Sequence, residues 1–273
     1  MVPLVSYSNI VCKNAISRSN LPGLDYSLNP YFGCEHGCIY CYSPSVFRDD
    51  KIAKNWGRFV KAKINVVETL NNQLKKLPKG TVGISTVTDP YQPLEGKLQL
   101  TRKCIELLST QKFPISIQTK SPLVLRDKDL IRSEGFDVGF TITTLKDDLA
   151  KKLQPRAPSP SSLVQAIEEF SNRGINTWIF LGPIIPEIND DDDGFLQIID
   201  LAEKTKSKII YDKLNLRPWV LDSMASFLEK ERPGLKDRLP SLVTRDSDYW
   251  HRLKVKLEDV CLKRGVHYKA AFP

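Results

Sequence analysis

Residues 29–44 read NPYFGCEHGCIYCYSP and carry three of the six cysteines in the chain. Cys34, Cys38 and Cys41 form the pattern C-x3-C-x2-C. Thiolates are the usual ligands of iron–sulfur clusters, and three of them on one loop can hold three irons of a cubane. The fourth iron then keeps an open position, as the metal of a catalytic site does. The motif therefore predicts a [4Fe–4S] cluster with one iron free to bind a small molecule.

Two other chemistries fit a group of cysteines. A structural zinc site needs a fourth ligand, and the candidates are His36, between two of the cysteines, and Cys12, which is distant in sequence. A redox disulfide within the motif is the other alternative. Cys104 and Cys261 fall in predicted helices, and we expect them to lie in the core.

The composition is that of an ordinary soluble globular protein, with 41% apolar and 26% charged residues among 273. No apolar run is long enough for a membrane span, and the first residues, MVPLVSYSNIVCKN, lack the features of a signal peptide. These features predict a cytoplasmic protein without a membrane partner. The formal charge of +8 favours anionic partners such as nucleic acid. The basic residues are nevertheless spread along the chain, as on an ordinary solvated surface.

Strand-like runs alternate with helical patterns along most of the chain. The predicted strands are Thr81–Val87, Pro114–Thr119, Val138–Thr143, Thr177–Leu181 and Lys208–Leu216. The predicted helices are Val60–Lys76, Thr101–Thr110, Asp127–Ser133, Ser161–Arg173 and Gly194–Lys206. Repeated strand–helix units imply a parallel sheet with right-handed crossovers. About six such units predict an α/β fold of the partial (β/α)6 TIM-barrel type.

The segment after residue 218 has a different character. It is richer in charge and contains a predicted helix from about Asp246 to Arg264, followed by a strand-like end, GVHYKAAF. We therefore predict a barrel over residues 1–218 and a helical and strand extension over residues 219–273 that packs on the barrel.

Polar residues follow several predicted strands at the point where each strand ends. They are the segments Ser85–Asp89, Thr119–Ser121, Thr141–Thr144 and the pair Gly182-Pro183. In parallel α/β folds, ligands bind at the carboxyl ends of the strands. The sequence therefore predicts one shared site at that edge.

The cysteine motif together with Tyr40 resembles that of the radical SAM superfamily, whose pattern is C-x3-C-x-(aromatic)-C. The usual partial barrel of that superfamily agrees with the strand–helix count. The resemblance implies that S-adenosylmethionine binds the open iron through its amino and carboxylate groups. One electron then splits a carbon–sulfur bond, and the resulting 5′-deoxyadenosyl radical abstracts hydrogen from a substrate.

Further segments resemble the spore-photoproduct-lyase-like branch, often described as DNA repair photolyase-related. They lie between residues 26 and 190 and read NPYFGCEHGCIYCY, STVTDPYQPLE, IQTKSPLVLRDKDLI, TITT, QPRAPSPSSL and GPIIPEIND. Together these segments are specific to the branch, but they do not single out one reaction.

The resemblance also implies contacts with S-adenosylmethionine. It places Tyr40 near the adenine, mainly through its backbone, and Thr88 and Asp89 near the amino group. Lys120 is suited to the carboxylate as a compact positive charge, and Thr143 to the ribose or the carboxylate. The same residues also have ordinary interpretations, because Thr88-Asp89-Pro90 fits a simple turn and Lys120 fits the surface.

The chain departs from the branch at two positions. Members that repair the spore photoproduct carry a cysteine hydrogen donor where this chain has Thr86. A hydroxyl is a poor hydrogen-atom donor beside a thiol, which argues against thymine-dimer repair. Gln154 stands where the branch often has glutamate. Tyr42 and Tyr91 are candidates for a hydrogen-atom relay.

Four more residues have open interpretations. Glu95 fits either a structural turn or a site acid. Arg126 and Asp127 fit the start of a helix, with Asp127 as the N-cap. Arg156 fits either an anion contact or a proline-flanked surface loop.

Two classes of function follow. The first is a radical SAM enzyme with one cluster, an unidentified substrate for which nucleic acid is a candidate, and a one-electron reductant such as a ferredoxin or flavodoxin. A protein that binds S-adenosylmethionine without turnover is a variant of it. The second is a non-enzymatic, metal-bearing nucleic-acid-binding module with a basic and aromatic segment at Trp56, Arg58, Lys61 and Lys63. That segment also fits the start of an amphipathic helix.

Overall fold

The computed structural model describes residues 4–244 and 246–271, which contain two sheets. The strands are β1 (Ser6–Ile10), β2 (Ile16–Arg18), β3 (Tyr26–Leu28), β4 (Tyr31–Phe32), β5 (Phe59–Lys63), β6 (Val82–Ile84), β7 (Ile115–Thr119), β8 (Phe136–Thr141), β9 (Asn176–Ile184), β10 (Lys208–Lys213) and β11 (Tyr268–Ala270).

Helices connect most of these strands, as the alternating pattern predicts. They are α1 (Ser43–Phe47), α2 (Asp50–Lys54), α3 (Val66–Leu74), α4 (Glu95–Leu98), α5 (Leu100–Thr110), α6 (Asp147–Leu153), α7 (Pro160–Asn172), α8 (Asp192–Lys204), α9 (Val220–Glu231), α10 (Leu235–Leu242) and α11 (Asp248–Lys263). A 3-10 helix spans Pro122–Asp127. No helix in the described part of the chain is long and apolar enough to cross a membrane.

The larger sheet has eight strands in the order β11-β10-β9-β8-β7-β6-β3-β2. All neighbours are parallel except β2, which runs antiparallel to β3. From β3 to β10 the strands follow one another in chain order without the reversal that marks a doubly wound sheet. This order is that of a singly wound barrel. The α/β fold and the partial (β/α)6 barrel are therefore confirmed.

The main core lies between the sheet and its outer helices. Along α7, the apolar residues Leu163, Ile167 and Phe170 recur every three or four positions and are buried. The Phe170 ring lies 6.2 Å from that of Phe140 on β8, measured between centroids. The predicted helix Ser161–Arg173 is thus confirmed with its bounds shifted by one residue at each end. Cys104 and Cys261 are fully buried, as expected.

The smaller sheet has the order β1-β5-β4 and contradicts part of one predicted helix. The helix predicted over Val60–Lys76 begins only at Val66, because Phe59–Lys63 forms β5. Alternate residues Val60 and Ala62 are buried, which is the two-residue period of a strand. β5 pairs with β1 on one side and β4 on the other.

The helix predicted over Asp127–Ser133 is also wrong. The chain forms the 3-10 helix Pro122–Asp127 and then turns. Asp127 does not cap a helix, because its carboxylate accepts hydrogen bonds from Tyr91, Arg102 and Arg126. Tertiary contacts therefore decide the conformation of this segment.

The chain after residue 218 adds to both layers of the barrel. β11 extends the main sheet through parallel pairing with β10, and Leu257 of α11 is buried in the main core. α9 and α10 build a smaller core, to which Met224 and Leu239 belong together with Tyr40 of the cysteine motif. A division into residues 1–218 and 219–273 stays a prediction.

Candidate functional site

The cysteine loop, residues 33–41, lies between β4 and α1 and packs against the turn before β5. Gly37 has φ +59° and Gly57 has φ +83°, a region that L side chains rarely adopt. A Cβ atom on Gly57 would lie 2.7 Å from the Gly37 Cα. The two backbones therefore touch without space for a side chain between them.

Backbone hydrogen bonds hold the cysteine loop from both sides. The fully buried Gln92 accepts from the Glu35 N–H at 2.9 Å, and its Nε2 donates to the Gly33 carbonyl at 3.3 Å. On the other side, the Ile39 N–H donates to the Leu153 carbonyl at 3.0 Å. These bonds fix the loop before any metal binds.

Arg156 completes this support. Its backbone N–H donates to the His36 carbonyl at 3.3 Å, and its guanidinium Nη1 donates to the Gly57 carbonyl. Arg156 therefore joins the two segments that meet at Gly37 and Gly57. Neither interpretation of this arginine from the sequence anticipated that role.

Replacing Gly57 with alanine is expected to displace the cysteine loop, because the new Cβ meets backbone rather than a movable side chain. Gly23 offers a matched control, since its φ is +81° but no atom lies within 4 Å of a Cβ built there. Both alanines carry the backbone strain of about 1–2 kcal/mol. We expect Gly57→Ala alone to lose bound iron as well, measured after anaerobic reconstitution. Equal iron contents in the two variants would contradict this.

Burial governs the three thiols of the loop. It raises the pKa of Cys38 to about 12, raises that of Cys34 well above its usual value, and also raises that of Cys41. Metals bind the thiolate form, so a positive ion must supply the compensating charge. Hydrogen-bond donors already face two of the sulfurs, namely the backbone of Asp89 at Cys34, and Ser43 and Trp56 at Cys41, and the Tyr40 hydroxyl lies beside the sulfur of Cys38.

Asp89 connects the cysteine loop to two strand ends. Its Oδ1 accepts from the Tyr91 N–H at 2.9 Å and from the Thr119 hydroxyl at 2.7 Å. Its Oδ2 accepts from the Lys120 N–H at 2.7 Å. The carboxylate therefore ties the turn after β6 to the end of β7. The adjacent Thr88 hydroxyl is buried and has no hydrogen-bond partner.

Lys120 carries the positive charge of the site. Its Nζ lies 5.7 Å from the centroid of the Tyr40 ring. Burial lowers its pKa, against the opposing influence of Asp89 and the three thiols. Within the described residues the ammonium has neither a hydrogen bond nor an ion pair, so it is available to an anionic group.

Tyr40 and Thr143 form a buried pair of hydroxyls 2.9 Å apart. Thr143 donates to the Gly182 carbonyl at 3.1 Å. A hydroxyl has a single proton, so Thr143 accepts from Tyr40 in this arrangement. The loop and the ends of β8 and β9 are thereby joined.

The structure brings together all eight residues that the sequence predicts as ligands of the cluster or of S-adenosylmethionine. They are Cys34, Cys38, Cys41, Tyr40, Thr88, Asp89, Lys120 and Thr143. Sequence reasoning missed the supports, namely Gln92, Gly57 and the clamp made by Arg156. Proline and glycine recur near these three residues and are typical of a fixed backbone. No local pattern, however, indicates which segments the three residues hold.

A zinc site built on Cys12 is not compatible with this geometry. The cysteine loop lies near the start of β5, where Gly33 approaches Phe59. Cys12 lies beyond the end of β5, where Asn65 binds its backbone. A strand of this length separates the two by roughly 13 Å. Within residues 4–244 and 246–271, no three His, Cys, Asp or Glu side chains are arranged so that they could hold a single metal ion. A cubane is less demanding, because each thiolate binds a different iron, and the donor set fits that group.

The segment proposed for a nucleic-acid module is largely committed to packing. The Trp56 ring lies 6.2 Å from that of Phe47 and 6.3 Å from that of Phe59, between centroids. Lys61 Nζ lies 5.7 Å from the centroid of the Phe32 ring. The interpretation of this segment as a helix start is wrong as well, because it leads into β5.

Glu95 belongs to a buried ionic network and not to the cysteine site. Its carboxylate is fully buried and accepts from Tyr31 at 2.5 Å and from Arg126 at 2.7 Å. Tyr91 is 1% exposed and donates to Asp127 of the same network at 3.0 Å. Of the two tyrosines considered as relays, Tyr91 is thus engaged in the core.

Tyr42 has a different setting, at the carboxyl ends of the strands. Its side chain is 41% exposed, and its hydroxyl donates to the Thr86 carbonyl at 2.9 Å. Burial raises the pKa of Tyr42 to about 12, and Cys41 and Asp212 of β10 are close enough to add to this shift. An aromatic ring and a carboxylate therefore border the mouth of the barrel beside Cys41.

Asp212→Asn is expected to stabilise the protein in a pH-dependent way. Burial raises the pKa of Asp212 from 3.8 to about 6, so its charged form disfavours folding. The cost is absent below the unfolded pKa of 3.8, grows as pH rises towards 6, and is constant above. We expect a gain of roughly 1–2 kcal/mol at pH 8 and almost none at pH 4. Thermal melting at both pH values measures it, and equal gains would refute the assignment.

The cysteine loop lies at the carboxyl edge of a singly wound barrel, with a free cation facing three thiols. The family model described as the radical SAM superfamily matches residues 28–199, from the end of β3 into α8. The chain belongs to the radical SAM superfamily. It is accordingly a radical SAM enzyme, its cofactors are S-adenosylmethionine and a [4Fe–4S] cluster, and it requires a reductant and a substrate.

Relatives in sequence are mostly uncharacterised. An uncharacterised protein of Methanocaldococcus jannaschii is 35% identical over 66% of this chain and 68% of its own. An uncharacterised protein of Mycobacterium tuberculosis is 25% identical over 88% of this chain and 74% of its own. The radical SAM Nα-GlyT isomerase of Pseudomonas phage M6 is 29% identical over 60% of this chain but only 34% of its own.

Solved structures share the fold. Spore photoproduct lyase with bound AdoMet and dinucleoside spore photoproduct superposes with a TM-score of 0.73, at 12% identity, over 97% of this chain and 81% of the lyase chain. SuiB of Streptococcus suis bound to S-adenosylmethionine gives a TM-score of 0.52 at 10% identity, over 98% of this chain and 47% of its own. The resemblance to the lyase-like branch is thus supported at the level of the fold.

Proposed function

We propose that Cys34, Cys38 and Cys41 bind the [4Fe–4S] cluster at the carboxyl edge of the barrel. The observation that carries this is that the three buried thiols face the Lys120 ammonium and the Asp89 turn on one loop whose backbone is fixed. When bound, the cluster supplies the electron that splits S-adenosylmethionine into methionine and a 5′-deoxyadenosyl radical. Hydrogen-bond donors near the sulfurs are contacts that tune the reduction potential of such a cluster.

Different residues around the loop bind different parts of S-adenosylmethionine. Lys120 pairs with its carboxylate, and Asp89 with the Thr88 hydroxyl attracts its ammonium. The zwitterion of an amino acid needs one charge of each sign, and this site offers both. Tyr40 and Thr143, whose hydroxyls bond to each other, form the wall for the nucleoside end.

We further propose that the substrate contains a nucleobase. The net charge of +8 favours a polyanion, and the lyase that shares this fold was solved with a dinucleoside in place. At the mouth, the half-exposed Tyr42 ring can stack on a base, as aromatic side chains do in single-strand binding. Thymine-dimer repair is not part of the proposal, because Thr86 replaces the thiol donor.

Tyr42 is the residue we propose for hydrogen-atom relay. Its hydroxyl lies at the strand ends beside Cys41, whereas that of Tyr91 is held by Asp127 in the core. Position alone therefore favours Tyr42 over Tyr91.

Anaerobic reconstitution with iron and sulfide tests the proposed function. The reduced protein is mixed with S-adenosylmethionine, and 5′-deoxyadenosine is assayed by chromatography with and without single-stranded DNA, duplex DNA or RNA. A brown protein that forms the product supports the proposal, and acceleration by one polymer identifies the substrate class. A loaded cluster without product would favour a binding protein, and a colourless protein that retains zinc would favour the nucleic-acid module.

A further inference from the structure

Four buried polar side-chain atoms in the described chain have no hydrogen-bond partner. They are Nδ1 and Nε2 of His36, Oγ of Ser85 and Oγ1 of Thr88. All four lie on only two segments, the cysteine loop and the turn from Ser85 to Asp89. Buried polar atoms are almost always hydrogen-bonded, so each exception needs an explanation. Their grouping at one place indicates a polar ligand that binds between the two segments.

His36 has the most to gain from such a ligand. Its ring is only 1% exposed, and both of its nitrogens lack partners. Its backbone carbonyl accepts from Arg156, which holds the residue in place. Nδ1 lies 3.6 Å from Oδ2 of Asp89, the oxygen that already accepts from the Lys120 N–H. Nδ1 therefore faces protein, and Nε2 is the nitrogen left for a ligand.

The charges around the ring match a zwitterion. Asp89, Lys120 and Glu35 are the charged groups that act on it. Asp89 and Lys120 are the pair to which we assign the ammonium and carboxylate of S-adenosylmethionine. A ring fixed against this pair is suited to bind the same end of the cofactor.

We propose that His36 contacts the cofactor directly, with Nδ1 facing Asp89 and Nε2 hydrogen-bonded to bound S-adenosylmethionine. This inference rests on the proposed function. His36 was considered from the sequence only as a strained zinc ligand, and the structure instead assigns it to the organic cofactor. Because the His36 ring lies between the cysteine loop and the Asp89 turn, it also relates the position of the cluster to that of S-adenosylmethionine.

Two amide substitutions distinguish the roles of the two ring nitrogens of His36. Asparagine keeps a polar atom near the position of Nδ1, and glutamine keeps one near Nε2. The variants His36→Asn and His36→Gln are reconstituted, and iron, sulfide and the Kd for S-adenosylmethionine are measured. Binding is measured by equilibrium dialysis and by the change that S-adenosylmethionine causes in the EPR spectrum of the reduced cluster. The exposed His251, replaced by asparagine, is the matched control.

We expect the three variants to load iron like the unaltered protein. His36→Asn should weaken S-adenosylmethionine binding roughly tenfold, the effect of one lost hydrogen bond. His36→Gln should stay within about threefold of the unaltered protein. Equal affinities of the Asn and Gln variants, or a weaker Gln variant, would overturn the proposal. So would loss of iron from His36→Asn, which would make the ring a support of the loop.

Failure of this inference is distinguishable from failure of the proposed function. If the unaltered protein loads no cluster or does not bind S-adenosylmethionine, the proposed function fails. If the unaltered protein binds S-adenosylmethionine and the two amide variants bind it equally, only the role of His36 is refuted.

Discussion

Replacing Cys38 with alanine is expected to leave the reconstituted protein without its cluster and without 5′-deoxyadenosine formation. Cys38 is one of three thiols that share the loop, and its sulfur faces the Tyr40 hydroxyl and the Lys120 ammonium. Loss of a residue that merely supports a metal ligand lowers metal affinity 10- to 100-fold. Loss of the ligand itself should cost more than about a hundredfold. Iron analysis, the visible absorption band and the product assay measure this.

Cys12→Ala is the control that makes the Cys38 result specific. Cys12 is a partly buried thiol beyond the far end of β5, where Asn65 binds its backbone. Its loss removes the fourth ligand that a zinc site needs but leaves the three-thiol loop intact. We expect full iron loading in Cys12→Ala. A Cys12→Ala variant that loses metal while Cys38→Ala keeps it would refute the cluster assignment.

The cysteine loop and its partners could be found from the sequence because they depend on local spacing. Three thiols within eight residues are visible as a motif, and Asp89 and Lys120 follow strands whose carboxyl ends meet at one edge. The supports could not be found in the same way. Gln92 binds the loop at Glu35, from which it is 57 residues distant in sequence. Gly57 supports the loop through a contact between two backbones, which no side-chain pattern reveals.

The misassigned strand β5 shows the same limit. The helix predicted over Val60–Lys76 includes residues 60–63 because helix-prone residues continue after them, and the alternation of buried positions covers only Val60 and Ala62. β5 exists because it pairs with β1 and β4, and β1 itself is mostly exposed and therefore carries no apolar pattern. Pairing partners of this kind decide strand formation more than intrinsic propensity does.

Glu95 was ambiguous for a related reason, since a single acid in a turn-like segment fits both a site and a support. In the structure every partner of its carboxylate is a donor: the Tyr31 hydroxyl, the N–H groups of Thr101 and Arg102, and the Arg126 guanidinium. The network fixes the start of α5 against β4 and the 3-10 helix. Tyr31, which precedes the cysteine loop, is one link between this network and the loop, and Gln92, whose carbonyl accepts from the Glu95 N–H, is another.

Glu95→Gln is expected to destabilise the protein by about 3–5 kcal/mol, the usual cost of breaking a buried ion pair on one side. The shape of the side chain is unchanged, but its new NH2 group must face at least one N–H donor, because each oxygen of the Glu95 carboxylate accepts from an N–H group. The exposed Glu134, replaced by glutamine, is the matched control for loss of charge. Thermal melting should show a decrease of roughly 10 °C for Glu95→Gln relative to Glu134→Gln.

The same pair of variants also decides which interpretation of Glu95 holds. If Glu95 is a support, Glu95→Gln should lower the melting temperature, while the protein that remains folded binds S-adenosylmethionine with unchanged affinity. If Glu95 is instead an acid of the active site, Glu95→Gln should melt at nearly the same temperature as Glu134→Gln and should clearly lose product formation.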